Sequence, residues 1–140
     1  GGLVASYYAE EIAPFGKVSH LISIGTPFAG TRTACIQSCP ASRAMRPGSD
    51  LLSHLNEKIN ANTYTRYCQV ATTGDNIVYP YQSALLKGRE EDRLLLDIPD
   101  HLGLLFSPKV ARQIIFWLRE TLSAERPPLK KPQKRLVPHP

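Results

Sequence analysis

Val18-Ser19-His20-Leu21-Ile22-Ser23-Ile24-Gly25 is a short apolar run with β-branched side chains, closed by a glycine and followed at once by Thr26-Pro27. Its length and flanking turn residues mark it as a buried strand. Upstream, Leu3, Val4, Tyr7, Tyr8 and Ile12 share one side of a helical period with Glu10 and Glu11 opposite, so residues 3–13 read as an amphipathic helix stopped by Pro14 and Gly16. Downstream, residues 26–48 are rich in Thr, Ser, Gly, Pro and Arg. A loop of that length in a compact domain is usually a lid or the wall of a binding site. Ser49 is placed to cap a helix over residues 50–60, with Leu51, Leu52, Leu55 and Ile59 as its apolar face. Residues 66–72 and 93–98 read as further strands, residues 82–87 as a short helix. Ser107-Pro108 opens a last helix whose buried side is Val110, Ile114, Ile115, Trp117 and Leu118. Strands alternating with helices predict an α/β fold with a parallel sheet covered on both faces. Three strands make a thin sheet for that architecture, so a missing neighbour is expected.

Of the 140 residues, 42% are hydrophobic and 21% charged, which suits about one globular domain and excludes collagen-like and wholly disordered chains. No apolar run approaches the roughly 18–20 residues that span a bilayer. The opening Gly1-Gly2, with no Met, is what a piece of a longer chain would show. The net charge of +5 comes from one place: Arg126, Lys130, Lys131, Lys134 and Arg135 lie in the last 15 residues with no acid among them, leaving 12 basic and 12 acidic side chains in residues 1–125. A neutral body argues against nucleic-acid binding, which needs basic residues on the fold itself. Two parts are therefore expected: an α/β body over 1–125 and a basic, Pro-rich, disordered tail over 126–140 that offers itself to a membrane surface. Cys35 and Cys39 have a C-x3-C spacing but no second ligand pair at a matching distance, so no metal is expected. They read as incidental thiols, or as a loop disulfide if the protein is exported.

In α/β sheets, functional groups gather in loops at the carboxyl ends of strands. The loop after the second strand offers Asp75 and the loop after the third offers His101, 26 residues later. Such a pair can be the supporting members of a serine-hydrolase triad: His as general base, Asp fixing its tautomer. Asp97 and Asp100 are rivals for the acid. Ser6, Ser23 and Ser49 are not placed as nucleophiles, being read within a helix, within a strand and at a cap. His20 reads as a core residue, and His54 and His139 as non-catalytic.

Five segments together resemble the carboxyl-terminal half of α/β-hydrolase superfamily lipases and esterases. Gly1-Gly2-Leu3-Val4-Ala5 is similar to the end of the nucleophile elbow, G-x-S-x-G-G-L-V-A. Gly25-Thr26-Pro27-Phe28-Ala29-Gly30-Thr31 resembles the G-T-P-H-x-G-T loop, with Phe28 in place of the usual His. Arg46-Pro47-Gly48-Ser49 with Leu51, Leu52, Leu55 and Asn56 resembles the cap-region segment. Asp75-Asn76-Ile77-Val78-Tyr79-Pro80, ending at Ser83-Ala84, is similar to the acid loop. His101-Leu102-Gly103-Leu104-Leu105 through Ser107-Pro108-Lys109-Val110 resembles the histidine loop and last helix. The resemblance implies the last three strands of a mostly parallel sheet with flanking helices, with Asp75 and His101 as catalytic residues. The loop from Thr26 to Met45, with Thr26, Phe28 and Ile36, is expected to form part of an acyl-binding wall, the Phe28 change bearing on loop packing or on acyl-site shape. The resemblance also implies an ester or acylglycerol substrate, no cofactor, and an upstream half of the same fold as partner. The nucleophilic Ser would stand two positions before Gly1, so ester hydrolysis by these 140 residues alone is expected to be negligible. Two other functions remain in view: a non-catalytic binding module built on a truncated hydrolase fold, and an acyltransferase using the same residues.

Overall fold

A computed structural model of the protein describes residues 1–36 and 38–123. The basic tail over 126–140 lies outside the described residues. A first helix, α1, runs Gly2–Tyr7 and continues as a π-helical turn, Tyr8–Ile12. Strand β1 (His20–Ile24) follows, then a 3-10 turn (Arg32–Cys35), α2 (Pro40–Ala44), α3 (Asp50–Ala61) and β2 (Arg66–Thr72). Two further 3-10 turns, Tyr81–Ala84 and Glu90–Asp92, lead to β3 (Arg93–Leu96); a last one, Gly103–Phe106, leads to α4 (Pro108–Ser123). The segment expected as an open loop over 26–48 thus carries two short helical elements.

The strands form one parallel sheet in the order β1-β2-β3, with Ile22 opposite Cys68 and Val70 opposite Leu94. Parallel pairing needs crossover connections; the one from β1 to β2 carries α3, which covers one face of the sheet, and α4, beyond β3, covers the other. Alternate residues of each strand feed two apolar clusters. On one face Leu21 and Tyr67 meet Ala9, Phe28, Leu55 and Ile59 beneath α1 and α3. On the other, Cys68, Val70 and Leu96 meet Leu104, Val110 and Trp117 beneath α4. The central strand β2 is buried on both sides from Tyr67 to Thr72. Arg66 ties its start to its surroundings, with Nε 2.8 Å from Asp92 and Nη2 3.1 Å from Glu120 on α4.

Helix α3 forms as its pattern predicts. The Ser49 hydroxyl accepts the Leu52 N–H at 3.4 Å, and Leu52, Leu55 and Ile59 are buried. Leu51 is the exception, half-exposed at the cavity described below. The first helix departs from its pattern. Val4, Tyr7, Tyr8 and Ile12, expected against the core, are exposed, and the residues turned inward are Ser6 and Ala9. Glu10, expected on the solvent side, accepts hydrogen bonds from the Tyr67 hydroxyl and, at 2.7 Å, from Asn62 Nδ2. Leu3 alone of the expected face packs against the core. The π turn over Tyr8–Ile12, with its wider winding, breaks the 3.6-residue period for Tyr8 and Ile12. Val4 and Tyr7 lie before it and simply face away from the described sheet. Helix α4 also buries a narrower stripe than expected. Val110 and Trp117 are buried with Ile114 beside them, whereas Ile115 and Leu118 are 48% and 43% exposed. One stripe of a straight helix suffices to cover so narrow a sheet. No helix among the described residues is long and apolar enough to cross a membrane.

Candidate active site

The site forms at the carboxyl ends of the strands. At the end of β2 the Thr72 hydroxyl donates to the Pro99 carbonyl at 2.6 Å and accepts the Gly74 N–H at 3.2 Å. The Thr73 N–H donates to the Leu96 carbonyl at 2.8 Å. These bonds stitch the turn after β2 to the loop after β3, which is how two groups 26 residues apart come to touch.

Asp75 stands in that turn with its side chain 1% exposed. Its Oδ1 accepts the N–H groups of Ile77 at 2.9 Å and Val78 at 2.7 Å. Its Oδ2 lies 2.8 Å from Nδ1 of His101. A carboxylate can only accept, so with Asp75 ionised the shared proton sits on Nδ1 and the lone pair is left on Nε2. Three hydrogen bonds hold the acid, and the His101 side chain is 22% exposed. The pair is thus an imidazole held by a buried carboxylate, and His101 lines the cavity described next.

Gly25, ending β1, lets the ring approach. It adopts φ +57°, and a Cβ there would stand 2.7 Å from His101 Cε1. A similar intimacy joins α1 to the next residue: a Cβ on Gly2 would stand 1.9 Å from the Thr26 hydroxyl oxygen. The start of α1 is therefore pressed onto the loop after β1.

These groups open onto a cavity of about 610 Å³ lined by His101, Gly1, Gly2, Thr26 and Val78 among others. Its outer wall is the segment between β1 and α3, through Thr33, Ala34, Ala41, Ser42, Ala44 and Met45. The base of the wall is closed by a Thr31 N–H bond to the Met45 carbonyl at 2.9 Å. The Thr31 hydroxyl bonds the Ile77 carbonyl at 2.8 Å and accepts the Tyr79 N–H at 2.9 Å, which fixes the wall to the loop that carries Asp75.

Of the residues singled out in the sequence, the structure brings Asp75, His101 and Thr26 together at the cavity. Phe28 is 1% exposed and packs in the core with Leu55 and Ile59, while Ile36 is 85% exposed; neither lines the cavity. The apolar wall is made instead by small residues of the same segment. Asp97 and Asp100 lie outside the pair: Asp100 Oδ1 accepts the Gly103 N–H at 2.8 Å and shapes the histidine loop. His54 bonds Glu11 at 2.7 Å and draws its carboxyl below the usual range. The Ser23 hydroxyl donates to the Cys68 carbonyl, Ser49 caps α3, and Ser6 is buried in α1. Thr72 is a supporting residue that a reading of motifs passes over, and Gly25 and Thr31, though they open and close a quoted motif, were given no role. Their signal is positional, since each stands where a strand or loop motif begins or ends.

No family model matches this chain. Nor does any curated protein. The functional reading rests on the geometry above and on the residues that carry the sequence resemblance.

Proposed function

We propose that the chain is the carboxyl-terminal part of a serine carboxylic-ester hydrolase of the α/β-hydrolase lipase/esterase type. The observation that carries this reading is the 2.8 Å bond between His101 and a buried Asp75 at the edge of a cavity that Gly1 and Gly2 also line. A serine two positions before Gly1 would stand at the mouth of the same cavity. His101 Nε2 takes its proton as the hydroxyl attacks the ester carbonyl, then returns the proton to the departing alcohol. In the second half of the cycle His101 activates water against the acyl-enzyme, while Asp75 keeps the ring in its tautomer and balances its charge. The wall of alanines and Met45 suits the acyl part of an ester or acylglycerol.

The upstream half of the fold, in this reading, supplies the serine and the oxyanion donors. It also pairs with β1, which hydrogen-bonds only β2 among the described strands, and covers the exposed face of α1. A second reading, a binding module, draws on a different fact: among the described residues no serine bonds His101.

An antibody against this chain, used on its native source, separates the two. The hydrolase reading expects a product of roughly twice 15.5 kDa that a fluorophosphonate labels and that loses ester hydrolysis with His101→Ala. An unlabelled product of 15.5 kDa overturns it in favour of the binding module.

A further inference from the structure

Strand β3 ends at Leu96, and the chain then reaches His101 through Asp97, Ile98, Pro99 and Asp100. The Thr73 N–H bond to the Leu96 carbonyl is the end of the parallel ladder. Beyond it the sheet no longer holds this stretch, so the place of His101 depends on other bonds. Among the described residues, three side chains of the turn after β2 reach residues 97–101. The Thr73 hydroxyl bonds the Asp97 carbonyl at 3.3 Å, the Thr72 hydroxyl bonds the Pro99 carbonyl at 2.6 Å, and Asp75 bonds His101.

The two threonines are not alike. The Thr73 link is long and exposed. Thr72 is fully buried, and its hydroxyl is used twice: it donates to the Pro99 carbonyl and accepts the Gly74 N–H at 3.2 Å. One oxygen thus joins the backbone just before the acid to the backbone two residues before the base. Contact between the same segments is close. A Cβ on Gly74 would stand 3.4 Å from the Asp97 carbonyl oxygen and 3.5 Å from that of Pro99. Pro99 is also held from its other side. A Cβ on Gly103 would come 2.5 Å from the Pro99 Cβ, so the chain after His101 folds back onto the proline ring, and the Gly103 N–H bonds Asp100 Oδ1 at 2.8 Å. His101 therefore lies in a short bend whose fixed end is Pro99, and Thr72 is what fixes it.

We propose that Thr72 is a positioning residue for the acid and base: its hydroxyl, donor and acceptor at once, sets the separation of Asp75 and His101 without lining the cavity. The proposal rests on the reading of that pair as the working part of a hydrolase and deepens it. Valine has nearly the shape of threonine but neither hydrogen-bonding role. Thr72→Val therefore leaves the Pro99 carbonyl and the Gly74 N–H without their common partner. The bend is then released at its fixed end, and the bond from His101 Nδ1 to Asp75 lengthens or breaks. Thr72→Ser keeps the oxygen and with it both bonds.

The test uses the full 140-residue chain and proton NMR of the His101 Nδ1–H, which a hydrogen bond to a carboxylate moves downfield of the amides. The parent and Thr72→Ser should show this resonance. Thr72→Val should lose it or shift it upfield, while its far-UV circular dichroism stays that of the parent. Thr73→Ala, which removes only the exposed link, should keep it. In a fluorophosphonate-reactive form of the protein, Thr72→Val should lower kcat roughly 10–100-fold with KM within about twofold, and Thr72→Ser should restore most of the loss. A folded Thr72→Val that keeps the resonance overturns the proposal. So does a Thr72→Ser that lacks it, a Thr73→Ala that loses it as fully, or a Thr72→Val that raises KM with kcat unchanged. The serine and Thr73 variants decide the matter even where Thr72→Val does not fold. A parent chain without the resonance is a separate result: it overturns the Asp75–His101 pair itself, and the hydrolase reading with it.

Discussion

Helices α1 and α3 lie on the same side of the sheet, and both carry the periodicity of an amphipathic helix. In α3 the apolar positions are buried, Leu55 at 1% exposure. In α1 and the π turn after it most face outward, Val4 at 73%, and contact with the core is made through Leu3, Ser6 and Ala9. The difference teaches that periodicity identifies which residues call for cover, not which cover this stretch of chain supplies. The same contrast runs through the sheet. At β2 and β3 the carboxyl ends are stitched together by Thr72 and Thr73, while among the described strands β1 hydrogen-bonds only β2.

The largest effect expected at the stitched end is chemical. In a fluorophosphonate-reactive form of the protein, His101→Ala should lower ester turnover by about 10²–10⁴-fold, read as initial rates on a p-nitrophenyl ester. Activity within a factor of two of the parent would remove His101 from the mechanism. Next in size is Leu55→Ala, which opens a void between α3 and the sheet and should cost about 2–5 kcal/mol in urea unfolding. Gly25→Ala comes third. The left-handed backbone alone disfavours a Cβ by roughly 1–2 kcal/mol. Because that Cβ would also press on the ring, the downfield Nδ1 proton resonance of His101 should shift or vanish in the same variant. The smallest is Val4→Ser on the outward face of α1, expected within about 0.5 kcal/mol in the 140-residue chain. A cost comparable to that of Leu55→Ala would collapse the contrast between the two helices. A cost that appears only in a longer native product would sharpen it, because something in that product would then cover the face.

Much of the architecture was legible in the sequence. The strands at 18–25, 66–72 and 93–98 were each marked by apolar β-branched or leucine-rich runs between turn residues, and the structure holds strands within all three. Asp75 and His101 were legible as a pair because strand-end loops of a parallel sheet converge, whatever the chain between them does. Three things were not. The π turn over Tyr8–Ile12 has no compositional mark, so the inward positions of Ala9 and Glu10 were missed, and of the expected inward face of α1 only Leu3 meets the core. Motif position says where Phe28 is but not which way its ring points, and the ring points into the core. The wall of Ala34, Ala41 and Ala44 has no period to read, since its elements are each a single turn or little more.

The hydroxyl of Thr31 ends up with an outsized role. It joins the base of the cavity wall to the carbonyl of Ile77, and the amides of Ile77 and Val78 are the donors that hold Asp75. The wall and the acid are thus linked like a lever and its pivot. The peptide between Ile77 and Val78 is shared by both: its carbonyl accepts from Thr31 and its N–H donates to Asp75, so the positions of the wall and of the carboxylate are tied through one rigid unit.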